Sequence, residues 1–261
     1  MKNHLSHDKV LFKKWLDNRN DYKSCLDVYR NIDYKKHKEL LPLKDYILPS
    51  SMWIVGGDGF AYDIGYGGLD HVLSRKENIN ILVLDTEVYS NTGGQASKSS
   101  QIGSVVQFAS FGKGTYKKDL ARIAMCYPHV YVACVNIGYN KEHYLKVLQE
   151  AAAYDGPNLV IAYSPCIEHG IRKGMEYSLI NSELATKCGY FLTFRYQPDN
   201  EKFILDSKNP NFDLYDEFLS GENRYINLKR VNKEHADDIL NQQKEWARKR
   251  YEYYKKLDSD N

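Results

Sequence analysis

Gly56-Gly57-Asp58-Gly59-Phe60-Ala61-Tyr62-Asp63-Ile64-Gly65 follows directly on the apolar run Met52-Trp53-Ile54-Val55. A buried-type strand that breaks into glycines around one carboxylate and resumes as helix is the strand, turn and helix of an α/β sheet. The pattern returns downstream. Ile79-Asn80-Ile81-Leu82-Val83-Leu84 runs into Asp85-Thr86-Glu87-Val88-Tyr89-Ser90-Asn91-Thr92-Gly93-Gly94-Gln95, which places Thr86 28 residues after Asp58. In an open parallel sheet both turns lie at the carboxyl ends of their strands, where ligands bind. Asp58 and Thr86 are therefore expected to face one crevice.

Hard oxygen donors with few carboxylates suit magnesium, which completes its octahedron with water and phosphate oxygens. A bare carboxylate about 4 Å from a diphosphate charge is repelled by roughly 4 kcal/mol per charge pair at an effective dielectric near 20. A cation belongs between them. The rival reading, a nicotinamide-dinucleotide turn, puts Tyr62 where the third glycine should stand and Asp58 where a pyrophosphate needs bare backbone. Either turn alone reads as a glycine-rich loop without a ligand; two complementary turns at this spacing weigh against that.

Gly-Asp-Gly followed at this distance by a polar ligand is similar to the thiamine diphosphate fingerprint. Gly59 through Leu73, with Asp85 through Gln95, resembles the pyruvate:ferredoxin (flavodoxin) oxidoreductases and the pyruvate:NADP+ oxidoreductases that share their body. The likeness continues through Gly112-Lys113, Lys117-Lys118-Asp119-Leu120, Gly156-Pro157, Ile161 to Ile167 and Leu205-Asp206-Ser207-Lys208. It implies the C-terminal thiamine diphosphate-binding domain, an α/β fold with an open parallel sheet and helices on both faces. It further implies Asp58 and Thr86 as magnesium ligands, with the backbone carbonyl of Val88 as third donor. Gly57, Asp58, Gly59 and Phe60, with Thr86, Glu87, Val88, Tyr89, Ser90 and Asn91, would line the cofactor, and Asn91 would reach the substrate side as the catalytic candidate. Other thiamine enzymes usually carry Asn where Thr86 stands.

The activity implied is oxidative decarboxylation of pyruvate to acetyl-CoA and carbon dioxide, with electrons passed through iron–sulfur clusters. Ferredoxin, flavodoxin or a fused flavin reductase domain would accept them, in an enzyme expected to be a homodimer when complete. The five cysteines, Cys25, Cys126, Cys134, Cys166 and Cys188, form no C-x-x-C and no ferredoxin run. Cys126, Cys134 and Cys188 read as buried thiols and Cys25 as structural. Cys166 is different, because Ser164-Pro165-Cys166-Ile167 resembles the segment carrying the fourth ligand of the 4Fe–4S cluster nearest the cofactor. It is expected to be a latent ligand, filled only in the complete protein. The carboxylic acid that activates the cofactor belongs, in the resembled family, to a separate amino-terminal domain with no counterpart in this sequence, so the chain alone is expected to be inactive. The alternative is a non-catalytic module that binds the cofactor or a partner protein.

With 261 residues, 43% of them hydrophobic, the chain can bury one sizeable core. Thirty-six basic against 34 acidic residues leave a net charge of +2 and no drive toward nucleic acid. No segment approaches the roughly 18 apolar residues of a membrane span, and Met1 to His7 lacks the apolar core of a signal peptide. Scattered cysteines suit a reducing compartment, so a cytoplasmic protein is expected, or one of a hydrogenosome or mitochondrion-derived organelle.

Residues 1–50 read as a helical excursion within the same domain, anchored by Leu11, Trp15, Leu26 and Tyr29, and the sequence reads as beginning mid-domain. Residues 51–200 read as the cofactor-binding core, with strands at 129–135 and 158–163 around a helix at 141–154 and a last strand at 189–194. Residues 201–261 read as a wrapping tail ending in a charged helix at 233–257, laid on the core by its aromatic side. His71 and His169 read as ordinary hydrogen-bonded positions. Lys113, Lys117 and Lys118 read as a solvated loop in preference to a coenzyme A phosphate site.

Overall fold

In the computed structural model, which describes residues 7–259, six strands form one sheet. They are β1 (Trp53–Gly57), β2 (Asn80–Asp85), β3 (Tyr131–Val135), β4 (Asn158–Tyr163), β5 (Phe194–Gln197) and β6 (Lys202–Leu205), in the spatial order β1-β2-β4-β3-β5-β6. The first four run parallel, as expected. The last two do not: β5 pairs antiparallel with β3, and β6 antiparallel with β5. The strand expected at 189–194 begins only at Phe194, because Gly189 is left-handed at φ 81°. A Cβ there would meet the Phe212 ring at 2.6 Å. The tail expected from residue 201 supplies an edge strand instead, turned back through Pro198–Asn200 and the left-handed Glu201.

Helices α1 (His7–Asp17) and α2 (Tyr22–Asn31) precede the sheet. After β1 follow α3 (Asp58–Tyr62), α4 (Tyr66–Leu73), α5 (Leu120–Ala124), α6 (Lys141–Ala153) and α7 (Ser178–Lys187), and after β6 α8 (Tyr215–Ser220), α9 (Asn223–Val231) and α10 (Ala236–Ser259). Alternation along the strands sorts the two faces. Tyr131, Ala133 and Val135 of β3, with Val160 and Ala162 of β4, pack on Val147 and Ala151 of α6. Val132 and Cys134, with Leu159, Ile161 and Tyr163, enter the larger core on the opposite face. Both central strands are buried throughout, which is why their sequences run apolar without a polar alternation.

The aromatic side of α10 lies on that core, as expected. Tyr254 stacks on Phe194 with ring centroids 4.5 Å apart, and its hydroxyl donates to the Asp119 carboxylate at 2.8 Å. Asp119 is at the same time the N-cap of α5, accepting from the Arg122 amide.

The chain forms two compact units, residues 1–52 and residues 53–261. The first unit closes around Leu11, Val28, Ile32 and Ile47, with Trp15 Nε1 donating to the Ile47 carbonyl at 2.7 Å. Leu26, expected as an anchor, lies outside that cluster. Cys126 is exposed, against the expectation of a buried thiol, whereas Cys25, Cys134 and Cys188 are buried. Among the described residues no helix is long and apolar enough to cross a membrane.

Candidate functional site

Three neighbouring parallel strands deliver the site. β1 ends at Gly57 and hands over to Asp58; β2 ends at Asp85 and hands over to Thr86. The register pairs Gly57 with Leu84, so the two turns emerge side by side. β4 ends opposite Asp85 at Tyr163, and the Ser164 amide still bonds the Asp85 carbonyl at 3.0 Å. The Pro165-Cys166 segment therefore leaves the sheet at the same rim.

There the oxygens converge. Thr86 Oγ1 lies 3.3 Å from Asp58 Oδ1 and 3.0 Å from the Val88 carbonyl oxygen, and Ser90 Oγ approaches Thr86 Oγ1 to 2.9 Å. The Thr86 hydroxyl has one proton for two acceptors. Asp58 is buried, and its Oδ2 has no hydrogen-bond partner. Burial pushes its pKa up to about 6, against the Ser97 hydroxyl and with the Asp85 charge nearby. A cation with bonds of about 2.0–2.1 Å sets neighbouring octahedral ligands about 2.9 Å apart. The spacings around Thr86 are close to that edge, so the donor set fits magnesium: one carboxylate, one hydroxyl and one carbonyl. Among the described residues no group of three His, Cys, Asp or Glu is placed to hold a metal. A single-carboxylate seat is of another kind, one whose remaining positions fall to water and phosphate.

The surrounding turn is shaped for close approach. A Cβ on Gly59 would sit 2.4 Å from the Tyr89 ring, whereas one on Gly57 would meet nothing within 4 Å. The loop closes through Tyr89, whose amide donates to the Gln95 carbonyl at 3.0 Å, and returns through the left-handed Gly93 and Gly94. Ser90 and Asn91 belong to the short 3₁₀ turn Ser90–Thr92, with Asn91 exposed. Cys166 is buried, and its thiol donates to Ser90 Oγ at 3.1 Å.

Glu87, expected among the lining residues, turns inward. It is fully buried, with Lys117 Nζ 2.8 Å from Oε1 and Arg224 Nη2 2.9 Å from Oε2. Burial by itself would raise its pKa; Lys117 and Arg224 outweigh that and hold it down to about 2. Lys117 also binds Asp85 at 2.6 Å, so the expectation of a solvated loop fails for this residue. Asp85 in turn accepts from the Tyr62 hydroxyl at 2.9 Å and from Ser99.

His169, read as an ordinary position, is fully buried, and its Nε2 donates to the Thr86 carbonyl at 2.6 Å. Burial, and then the Arg224 charge, lower its pKa to about 3, so the ring is neutral. The sequence thus brings together Asp58, Thr86, Val88, Ser90 and Cys166 as expected. It named His169 and Lys117 only as an ordinary position and a solvated loop and did not disclose Arg224 or Ser97, since these residue types are the same on a wet surface as in a buried cage.

Comparison with known proteins identifies the family. Residues 47–162 match the family described as thiamine pyrophosphate enzyme, C-terminal TPP binding domain. The pyruvate:ferredoxin oxidoreductase of Moorella thermoacetica is 52% identical over 219 residues, which are 82% of this chain and 18% of that protein. The mitochondrial pyruvate dehydrogenase [NADP(+)] of Euglena gracilis is 46% identical over 225 residues, 84% of this chain and 12% of that protein. The pyruvate dehydrogenase [NADP(+)] of Cryptosporidium parvum is 40% identical over 288 aligned positions, 96% of this chain and 15% of that protein. The chain spans less than a fifth of the length of these relatives.

Proposed function

The chain belongs to the family of pyruvate:ferredoxin and pyruvate-flavodoxin oxidoreductases, and from that premise we propose that it is the thiamine diphosphate- and magnesium-holding part of an enzyme that oxidises pyruvate to acetyl-CoA and carbon dioxide. One observation carries the reading. Asp58, buried with an oxygen unpartnered, stands at near-octahedral spacing from the Thr86 hydroxyl, and Thr86 stands likewise from the Val88 carbonyl.

Asp58, Thr86 and Val88 would hold the cation, while Gly57, Gly59 and Phe60, with Tyr89, Ser90 and Asn91, border the seat of the cofactor. When bound, thiamine diphosphate supplies the electron sink for loss of carbon dioxide from a 2-oxo acid. The chain's own contribution is position and charge. A carboxylate poised at about 6 without a cation is a ready ligand near neutral pH. Asn91, exposed beside it, is the side chain we assign to the substrate.

Cys166 is assigned as one ligand of a 4Fe–4S cluster whose other cysteines come from the rest of the protein. Its thiol contacts Ser90 of the cofactor loop, which supports a short path for electrons leaving the site. Coenzyme A, a ferredoxin, flavodoxin or fused flavin domain as acceptor, and a homodimeric cytoplasmic enzyme complete the reading. The chain by itself should not turn over pyruvate. The test is calorimetric titration of the chain with thiamine diphosphate, with and without magnesium. Binding should require the cation and be lost in Asp58→Ala; cation-independent binding equal in wild type and variant overturns the ligand set.

A further inference from the structure

Glu87 stands between the two residues whose oxygens face the cation seat, and its backbone is left-handed at φ 58°. For a residue with a Cβ, such a conformation is strained and persists only where the surroundings over-determine it. Here they do. Oε1 is bound by Lys117, Oε2 by Arg224 and by the Tyr190 hydroxyl, and the Glu87 carbonyl accepts from Ser100 Oγ. With the Glu87 side chain anchored inward, the Thr86 hydroxyl lies 3.3 Å from Asp58 Oδ1 and 3.0 Å from the Val88 carbonyl oxygen.

Arg224 comes from the start of α9, beyond the residues 47–162 that match the cofactor-binding domain. It is fully buried, its Nε 2.6 Å from Glu222 Oε2, and Asn181 holds the other Glu222 oxygen at 2.7 Å. The Arg224 carbonyl also accepts the Val105 amide at 2.8 Å. Buried ion pairs are often replaceable by apolar residues at no cost in stability. A pair retained beside a strained turn is better explained by the geometry it imposes.

We propose that Glu87 and Arg224 are positioning residues of the cation seat: their buried pair, braced by Lys117 and Tyr190, locks the left-handed turn that aims Thr86 and Val88 at the ion. The tail beyond residue 200 is then part of the cofactor site without touching the cofactor. This rests on the reading of Asp58, Thr86 and Val88 as magnesium ligands, and the experiment separates the two.

The full chain is titrated with thiamine diphosphate over magnesium and, separately, calcium series. Glu87→Gln and Arg224→Lys should raise the magnesium concentration for half-saturation by about 10- to 100-fold, as loss of a partner behind a metal ligand does. They should also narrow the preference for magnesium over calcium, because a loosened loop accepts bonds of about 2.3–2.6 Å as readily as shorter ones. A merely structural role lowers the melting temperature and the bound stoichiometry and leaves that preference unchanged. Tyr190→Phe keeps the ring and removes one hydroxyl from Glu87; it should shift both quantities the same way by less. Wild-type half-saturation and wild-type ion preference in folded Tyr190→Phe and Glu87→Gln overturn the proposal. If Asp58→Ala also binds as wild type does, or if wild type shows no cation-dependent binding, the functional reading fails as well. If Asp58→Ala loses binding while the other variants match wild type, the positioning role alone fails.

Discussion

Two carboxylates from adjacent turns meet opposite surroundings. Glu87 is enclosed with Lys117 and Arg224, and its charge is balanced from within the chain. Asp58, also buried, has an oxygen with no partner. One region carries its own cations; the other, on the proposed reading, takes one supplied from outside. Consecutive residues of a single turn divide the two tasks, Glu87 going to the cage and Thr86 and Val88 to the crevice. The contrast teaches that burial alone does not distinguish structure from function; where the compensating charge comes from does.

The strongest way to break this contrast is to remove one cation from the cage. Arg224→Ala should cost about 3–5 kcal/mol in urea unfolding, since it strands buried carboxylates. Asp58→Ala, measured without divalent ions at pH 7, should lose none of that, because it deletes a buried carboxylate that has no ion-pair partner and one unpartnered oxygen. Equal losses in the two variants would erase the distinction.

The pH dependence sharpens it. The folded pKa of Asp58 is raised from 3.8 to about 6, so its contribution is fully present below pH 4 and is lost as pH rises through 6. Without magnesium the loss amounts to at most about 3 kcal/mol. The folded pKa of Glu87 is lowered from 4.5 to about 2, so its contribution is present above pH 4.5 and is lost as pH falls toward 2. Unfolding followed from pH 2 to 8 should show both limbs. Asp58→Asn should flatten only the upper one, and saturating magnesium with thiamine diphosphate should offset it in wild type. The smallest expected effect is that of Cys166→Ser, within about 0.5 kcal/mol of wild type and with unchanged cation dependence. A tenfold change in magnesium half-saturation there would join the cysteine to the seat.

The crevice was legible in the sequence and the cage was not. Asp58 and Thr86 announced themselves because two complementary turns follow apolar strands at this spacing, and parallel register carries both turns to one rim. The helix 141–154 and the strands 129–135 and 158–163 were likewise read to within a few residues, since strands buried on both faces leave continuous apolar runs. The cage depends on partners distant in sequence. Glu87 and Tyr190 are separated by 103 residues, and neither carries a local pattern. The antiparallel pair β5 and β6 escaped for a related reason: β5 joins the free edge of β3 after a turn set by Gly189 and Phe212, a contact no local period encodes.

That distance has a consequence for how the molecule is made. The Gly-Asp-Gly turn and its companion leave the ribosome well before Arg224, whose guanidinium fixes Glu87. Domains generally fold as units, and long-range closures come late. Until α9 has emerged, Glu87 lacks that counter-ion and the turn before Val88 has no complete lock. A nascent chain stalled short of Arg224 should therefore have most of its sheet while the turn between Thr86 and Val88 still lacks its lock.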